Sequence, residues 1–226
     1  MTLESLEKYD VLLFDWDGTL ADSTPLWTDT MGLVLGEFTS SMPSSNDMLH
    51  AMGDWHWFVH NGYFASEKLT AYAERVHMLM AERRRETPLE DGARQALGRI
   101  ALPGKKLGIV TAGARPHIDE MLEIHELTDA FDVVISSDDT KAHKPDPEGI
   151  NLALTALGVK DRSTAVMFGD NSRDLMAAHN AGIDSVLYLP PGAHFTQQEI
   201  ADKCAQGCEP VAIIRSWHEF ALPNAA

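Results

Sequence analysis

The chain of 226 residues is poor in cysteine, in positive charge and in long apolar runs. Its two cysteines, Cys204 and Cys208, are too few for a disulfide framework and lack a second pair of zinc ligands, so we expect plain thiols in a reducing compartment. No run of about 18 apolar residues is present, and the acidic N-terminal segment does not resemble a signal peptide. These absences predict a cytoplasmic protein without a transmembrane helix.

Positive charge is also scarce, with 18 Lys and Arg against 34 Asp and Glu and a formal net charge of −16. Nucleic-acid and anionic-membrane binders need clustered cations to neutralise phosphates, so we expect neither nucleic acid nor membrane as a partner. Small anionic substrates remain compatible with this charge, because a bound metal and a few local donors can outweigh the overall field.

Six short apolar runs, rich in β-branched residues, read as strands that are buried on both faces. From about Gly104 onward these runs alternate with amphipathic helical patterns, which predicts an α/β fold with a doubly wound parallel sheet. The six predicted strands are Val11–Phe14, Leu107–Val110, Val133–Ile135, Ala165–Phe168, Val186–Leu189 and Val211–Ile214.

Residues 22–88 interrupt this alternation and read as an all-helical insert. Thr24-Pro25 is a favourable helix start, and a second amphipathic helix ends near the basic run Arg83–Arg85. The sequence therefore predicts a core domain of residues 1–21 and 89–226 and a small helical domain of residues 22–88.

Polar side chains follow the predicted strands, where ligands of parallel sheets collect. Asp15 and Asp17 flank one residue directly after the first strand, and two unpaired carboxylates near an apolar core repel each other. A divalent cation with a preference for oxygen ligands, such as Mg²⁺, would offset that repulsion. The further polar or loop residues at strand ends are Thr111, Ala112, Gly113, Lys141, His143, Lys144, Gly169, Asp170, Asn171 and Asp174. Carboxylates, a hydroxyl, backbone N–H groups and a lysine together favour phosphoryl transfer.

In this order the motifs resemble those of the haloacid dehalogenase superfamily, in its phosphoglycolate phosphatase-like branch. FDWDGTL at 14–20 is similar to the first family motif, Thr111 to the second, Lys144 in HKPDP to the third, and GDNSRD at 169–174 to the fourth. The helical insert resembles the cap domain that this branch places between its first two motifs.

The resemblance implies a role for each matching residue. Asp15 would be the nucleophile that forms an aspartyl-phosphate, and Asp17 the general acid and base. Asp15, Asp170 and the backbone carbonyl of Asp17 would bind Mg²⁺. Lys144, favoured over Lys141 by the adjacent Pro-Asp-Pro, would neutralise developing charge.

Other residues would bind phosphate or support the site. Thr111 would donate to a phosphate oxygen, helped by the backbone of Ala112 and Gly113, although many relatives carry Asn where this chain has Ala112. Asp174 would steady Lys144 or the surroundings of the metal. Gly18 and Thr19 in the first motif would support the turn beneath the metal. Asn171 in the fourth motif would be a further supporting residue.

Two aromatic features of the sequence each allow two interpretations. Trp16 would either wall the phosphate pocket or belong to the core. The cluster from Trp55 to Tyr63 would either form the core of the cap or cover the leaving group, which would then be neutral or aromatic, since no Lys or Arg occurs between Lys8 and Lys68.

The expected function is a Mg²⁺-dependent phosphomonoester hydrolase that acts on a small phosphorylated metabolite, as a monomer or homodimer. A phosphosugar mutase of the same fold is the first alternative, but it usually needs a cationic cap. A catalytically silent binding protein on this scaffold is the second. Segments Ala21–Thr24 and Thr87–Asp91 would act as hinges for closure of the cap.

Overall fold

The structure is a computed structural model that describes residues 1–52, 55–193, 195–204 and 207–221. The chain forms two compact units. Unit 1 consists of Met1–Asp22 and Leu89–Ala226, and unit 2 of Ser23–Pro88.

Unit 1 is built on a single sheet of six parallel strands in the order β3-β2-β1-β4-β5-β6. The strands are β1 (Val11–Phe14), β2 (Lys106–Val110), β3 (Val133–Ile135), β4 (Ala165–Gly169), β5 (Asp184–Tyr188) and β6 (Ala212–Ile214). The predicted parallel α/β sheet is confirmed.

The helices of both units follow in chain order. They are α1 (Thr24–Phe38), α2 (Ser45–Met52), α3 (His56–His60), α4 (Leu69–Arg83), α5 (Ala93–Ile100), α6 (Arg115–Ile124), α7 (Glu148–Ala156), α8 (Ser172–Ala181), α9 (Gln197–Lys203) and α10 (His218–Ala221). None of the described helices combines the length and the apolarity needed to span a membrane.

The sheet of unit 1 is buried on both faces because its side chains alternate between two cores. Leu12 and Phe14 of β1 belong to the core shared with α5, α6 and α10. Val11 and Leu13 belong to the opposite core, shared with α7 and α8. A strand covered on both faces has no polar side, which is why β1 reads as a continuous apolar run.

The start of β5 differs from the prediction. The strand begins at Asp184, two residues before the predicted Val186, because Asp184 pairs with Val166 of β4. The Asp184 carboxylate accepts hydrogen bonds from Tyr9 Oη at 2.5 Å and Lys8 Nζ at 3.0 Å. Strand pairing and these partners, rather than hydrophobicity, therefore set the boundary.

Unit 2 is all-helical and has a core of its own. Phe58 is fully buried there, with the ring of Tyr72 at 5.4 Å between centroids. Trp55, Trp57 and Tyr63 are partly buried against the same core. Of the two alternatives for the aromatic cluster, this packing favours the core of the helical unit.

Candidate active site

The candidate site begins where three neighbouring strands end. Asp15 directly follows β1, Thr111 follows β2, and Asp170 follows β4. Since β1 lies between β2 and β4 and all three are parallel, the three residues start from the same edge of the sheet. The sheet topology therefore gathers residues that are up to 155 positions apart in sequence (170 − 15).

Lys144 links the carboxylates of this edge. Its Nζ lies 2.8 Å from Asp15 Oδ1 and 2.6 Å from Asp174 Oδ1, and it donates a hydrogen bond to the carbonyl of Val110 at 3.2 Å. The Lys144 side chain is 11% exposed and the Asp174 side chain is fully buried. Burial opposes the charge of Lys144, but Asp15 and Asp174 favour it, and the balance raises the pKa of Lys144 above its ordinary value.

Lys141, which the sequence favours less than Lys144, lies outside this group of contacts. Lys141 is exposed, and its backbone N–H donates to Glu148 Oε2 at 2.9 Å, while His143 is exposed in the same loop. Of the two lysines in this loop, Lys144 is therefore the one that contacts the carboxylates.

Three carboxylates converge beside Lys144. One oxygen from each of Asp15, Asp170 and Asp174 lies within 4.8 Å of the others. Burial raises the pKa of Asp15 to about 7, with Asp174 and Asp17 adding repulsion against the attraction of Lys144. Burial also raises the pKa of Asp170 well above its usual value, and the charges of Asp174 and Asp15 add to this effect.

This group has the chemistry of a divalent cation site. Buried carboxylates resist ionisation when they repel one another, and a hard cation with oxygen ligands would relieve that repulsion. Asp174 already contacts Lys144, and its Oδ2 lies 3.3 Å from the backbone nitrogen of Asn171. Both oxygens of Asp174 thus have partners, whereas Asp15 contacts Lys144 through Oδ1 and Asp170 contacts Asn171 through Oδ1. Asp15 and Asp170 are therefore the side chains best placed to bind the cation.

The loop after β1 is a tight turn around one carbonyl. The backbone N–H groups of Leu20 and Ala21 both donate to Trp16 O at 2.9 Å, and Gly18 N–H donates to Ala21 O at 2.9 Å. Asp17 lies in this turn and is half-buried. The side chain of Asp17 is not among the three converging carboxylates.

Gly18 lets the turn approach Asp170 closely. It has a φ of +74°, and a Cβ at this position would lie 2.6 Å from Asp170 Oδ2. A side chain at position 18 would therefore meet both backbone strain and a clash with a candidate metal ligand.

At the end of β2 the backbone turns around the hydroxyl of Thr111. Thr111 is buried, and its Oγ1 accepts a hydrogen bond from the N–H of Gly113 at 3.0 Å. Ala112 is exposed and Gly113 is half-buried. The three residues thus lie together at the edge where the sequence placed phosphate binding.

After β4 the chain is shaped to hold two acids. Asn171 caps α8, with Oδ1 accepting from Arg173 N at 2.9 Å, and its Nδ2 donates to Asp170 Oδ1 at 2.8 Å. A Cβ on Gly169 would lie 2.2 Å from Asp174 Cβ. Asn171 therefore orients Asp170, and Gly169 leaves the space that Asp174 occupies.

Trp16 and Thr19 of the first motif, for which the sequence suggested roles at the site, are both buried. The Trp16 side chain is 1% exposed and its ring lies 6.3 Å from that of His125. Of the two alternatives for Trp16, the packing favours the core over a wall of the phosphate pocket. Thr19 is fully buried, and its Oγ1 is the one buried side-chain oxygen or nitrogen without a hydrogen-bond partner in the described residues.

Some contacts of the site have no signal in the sequence. The indole N–H of Trp217 donates to Thr19 O at 2.8 Å across 198 positions, and Val110 contributes a carbonyl to Lys144. The Asn171 to Asp170 bond is local, and a helix-capping residue next to the acid was its only signal.

Comparisons with known proteins agree with this architecture. A family model described as haloacid dehalogenase-like hydrolase matches residues 12–188. The pyrophosphatase PpaX of Bacillus velezensis is 33% identical over 177 residues, which cover 78% of this chain and 81% of that protein.

Solved structures share the fold. A haloacid dehalogenase-like hydrolase from Streptococcus pneumoniae superposes with a TM-score of 0.77 at 18% identity and covers 94% of this chain and 96% of its own. A protein from Haemophilus somnus, predicted to be a phosphoglycolate phosphatase, has a TM-score of 0.74 at 18% identity, with 95% and 96% covered.

The family model covers well over half of the sequence, and all four motifs that carry the resemblance fall within the matched residues. The chain belongs to the haloacid dehalogenase-like hydrolase family.

Proposed function

We propose that this protein is a Mg²⁺-dependent phosphomonoester hydrolase that acts on a small phosphorylated metabolite through an aspartyl-phosphate at Asp15. The observation that carries the proposal is the contact of Lys144 Nζ with Asp15 at 2.8 Å, beside the carboxylate of Asp170. A nucleophilic carboxylate with a fixed cation beside it suits attack on a phosphorus atom whose oxygens are negatively charged.

Asp15 would attack phosphorus with one carboxylate oxygen and release the alcohol. Lys144 favours the ionised form of Asp15 and offers positive charge to the transferring group. A bound Mg²⁺, with Asp15 and Asp170 as side-chain ligands and the carbonyl of Asp17 as a third, would neutralise phosphate charge and align the reacting group.

Asp17 would move the protons of both half-reactions. In the first it gives a proton to the leaving alcohol, and in the second it takes one from the water that hydrolyses the aspartyl-phosphate. Its place in the turn directly after Asp15, only half-buried, supports this assignment.

Thr111 and the backbone of Ala112 and Gly113 would bind the phosphate oxygens. The role of unit 2 as a cap domain stays a prediction.

The test measures phosphate release from p-nitrophenyl phosphate, phosphoglycolate and inorganic pyrophosphate, each with Mg²⁺ or with EDTA. Pyrophosphate belongs in the panel because a relative at 33% identity bears the name pyrophosphatase. We expect hydrolysis of at least one of the two monoesters, and its loss in EDTA.

Asp15→Asn should lower kcat at least about a thousandfold, while the circular dichroism spectrum stays that of the wild type. The matched control is Asp202→Asn, since Asp202 is an exposed aspartate of α9, and it should keep full activity. Retained turnover in Asp15→Asn would contradict the nucleophile assignment. Hydrolysis of pyrophosphate with no monoester turned over would correct the substrate class.

A further inference from the structure

The segment after β6 contacts the loop that carries Asp17. Trp217 is fully buried, and its indole N–H donates a hydrogen bond to the carbonyl of Thr19 at 2.8 Å. Thr19 is two residues beyond Asp17 in the tight turn around Trp16 O. A side chain from the end of the chain thus fixes the far side of the turn that presents the proposed acid and base.

The ring that bears this N–H is itself held by the ends of three strands. Its centroid lies 5.3 Å from that of Tyr188, stacked at 25°, 5.8 Å from that of Phe168 and 6.1 Å from that of Phe14. Phe14 directly precedes Asp15, and Phe168 lies two residues before Asp170. The donor therefore rests on the same strand ends that position the candidate nucleophile and metal ligand.

A second hydrogen bond holds the next carbonyl of the loop. The N–H of Glu90 donates to Leu20 O at 2.8 Å, and Tyr188 Oη donates to Glu90 Oε2 at 2.7 Å. Loss of the Trp217 donor would therefore release the Thr19 carbonyl, while the Thr19 N–H keeps its hydrogen bond to Trp16 O at 3.3 Å and Leu20 O keeps the N–H of Glu90. Thr19 O would then be left without its indole donor in the interior, which favours movement of the turn.

Resting on the proposed function, we infer that Trp217 is a positioning residue for proton transfer by Asp17. Its N–H sets the place of the turn relative to the strand ends, so that the Asp17 carboxyl reaches the leaving-group oxygen. Trp217 itself touches neither the substrate nor the reacting atoms. The groups assigned to phosphate, Thr111 and Lys144, are carried by other loops and do not depend on this hydrogen bond.

The test uses Trp217→Phe, which keeps an aromatic ring and removes the N–H. An alkyl phosphate needs a proton on its leaving oxygen, whereas p-nitrophenolate leaves without one, so only the first reaction depends on a well-placed acid. We expect kcat/KM for the alkyl phosphate to fall about tenfold to a hundredfold, and kcat/KM for p-nitrophenyl phosphate to fall much less. This difference between leaving groups is a readout that a general loss of stability would not produce.

Phe220→Leu is the matched control for packing. Phe220 is fully buried and lies 6.0 Å from the Trp217 ring, but it donates nothing to the turn. It should lower the melting temperature and leave the ratio of the two kcat/KM values unchanged. If Trp217→Phe does not fold, Trp217→Met, which is apolar and likewise carries no side-chain donor, replaces it in the same comparison.

An equal loss on both substrates in the Trp217 variant, or no loss on either, would overturn the inference. Asp17→Asn separates this failure from failure of the proposed function. If Asp17→Asn discriminates strongly between the leaving groups and Trp217→Phe does not, only the inference about Trp217 is wrong. If Asp17→Asn also shows no discrimination, the proposed role of Asp17 is wrong and the inference falls with it.

Discussion

At the scale of single residues, Asp15 lies between two opposing influences. Burial and the neighbouring acids raise its pKa, and Lys144 at 2.8 Å lowers it. The net result is a pKa of about 7, so the carboxyl is partly protonated at neutral pH in the metal-free protein. A nucleophile must be ionised, and a cation bound beside Asp15 would favour the ionised form.

This opposition predicts that Mg²⁺ binding releases protons. A metal ligand must be ionised, so a carboxyl with a raised pKa gives up its proton when the cation binds. Proton release should be clear near pH 6 to 7, where Asp15 is partly protonated, and the share that comes from Asp15 should shrink as the pH rises and Asp15 ionises. Calorimetric titration of Mg²⁺ in two buffers with different ionisation enthalpies measures the number of protons.

Asp170→Asn is expected to weaken Mg²⁺ binding and the associated proton release, since it removes one of the two side-chain ligands. Asp202→Asn on the exposed face of α9 should bind Mg²⁺ like the wild type. Mg²⁺ binding without proton release at pH 6 to 7 would contradict the raised pKa values of Asp15 and Asp170.

Part of the site at this scale could be predicted from sequence, because several candidate residues directly follow a strand. Asp15, Thr111 and Asp170 were all identified in this way. The bond from Trp217 to Thr19 could not be predicted, because local periodicity contains no information on a partner 198 positions away. The choice of Lys144 over Lys141 rested on neighbouring prolines and not on geometry.

At the scale of elements, the close approach of β4 to the start of α8 is possible because Gly169 has no side chain. Asp174 in the first turn of α8 fills the space beside Gly169. A Cβ on Gly169 would lie only 2.2 Å from Asp174 Cβ, which is too close for both atoms to be present. The same contact places Asp174 where its carboxylate reaches Lys144 at 2.6 Å. Packing of the strand against the helix thereby positions the carboxylate that contacts Lys144.

Gly169→Ala should destabilise the protein by about 1–3 kcal/mol or more and displace Asp174 from Lys144, because either the backbone or Asp174 must move. Gly98→Ala is the matched control: Gly98 lies within α5, and its added Cβ would have no atom within 4 Å. That variant should gain about 1 kcal/mol from helix propensity. Urea unfolding measures both changes, and equal stability of the two variants would contradict the packing described.

Strands were predictable as elements because burial on both faces leaves an apolar run of characteristic length. The residues at which strands begin and end were harder to predict, and β5 shows the reason. Asp184 is polar and would not be assigned to a buried strand, yet its backbone pairs with β4 and its carboxylate has two partners. A boundary set by pairing in the folded sheet is not contained in the local hydrophobicity.

At the scale of the whole molecule, the dominant feature is the net charge of −16. Like charges at this density repel one another in the folded state and reduce its stability, and salt screens that repulsion. The melting temperature should therefore rise by several degrees as NaCl increases from low concentration to about 0.5 M at pH 8.

The control for this prediction repeats the salt series near pH 4.9, the isoelectric point of the sequence. There the net charge is close to zero, so the salt effect should be small. A salt effect that is as large at pH 4.9 as at pH 8 would show that screening of net charge is not its cause.

The measurement that tests the central claim most directly is chemical trapping of the phosphorylated enzyme. The protein is mixed with substrate and Mg²⁺, quenched in acid during turnover and reduced with borohydride, which converts an aspartyl-phosphate to homoserine. Peptide mass spectrometry should then find homoserine at position 15 and leave Asp17, Asp170 and Asp174 unchanged. Homoserine at another aspartate, or none at position 15 while hydrolysis proceeds, would contradict the account.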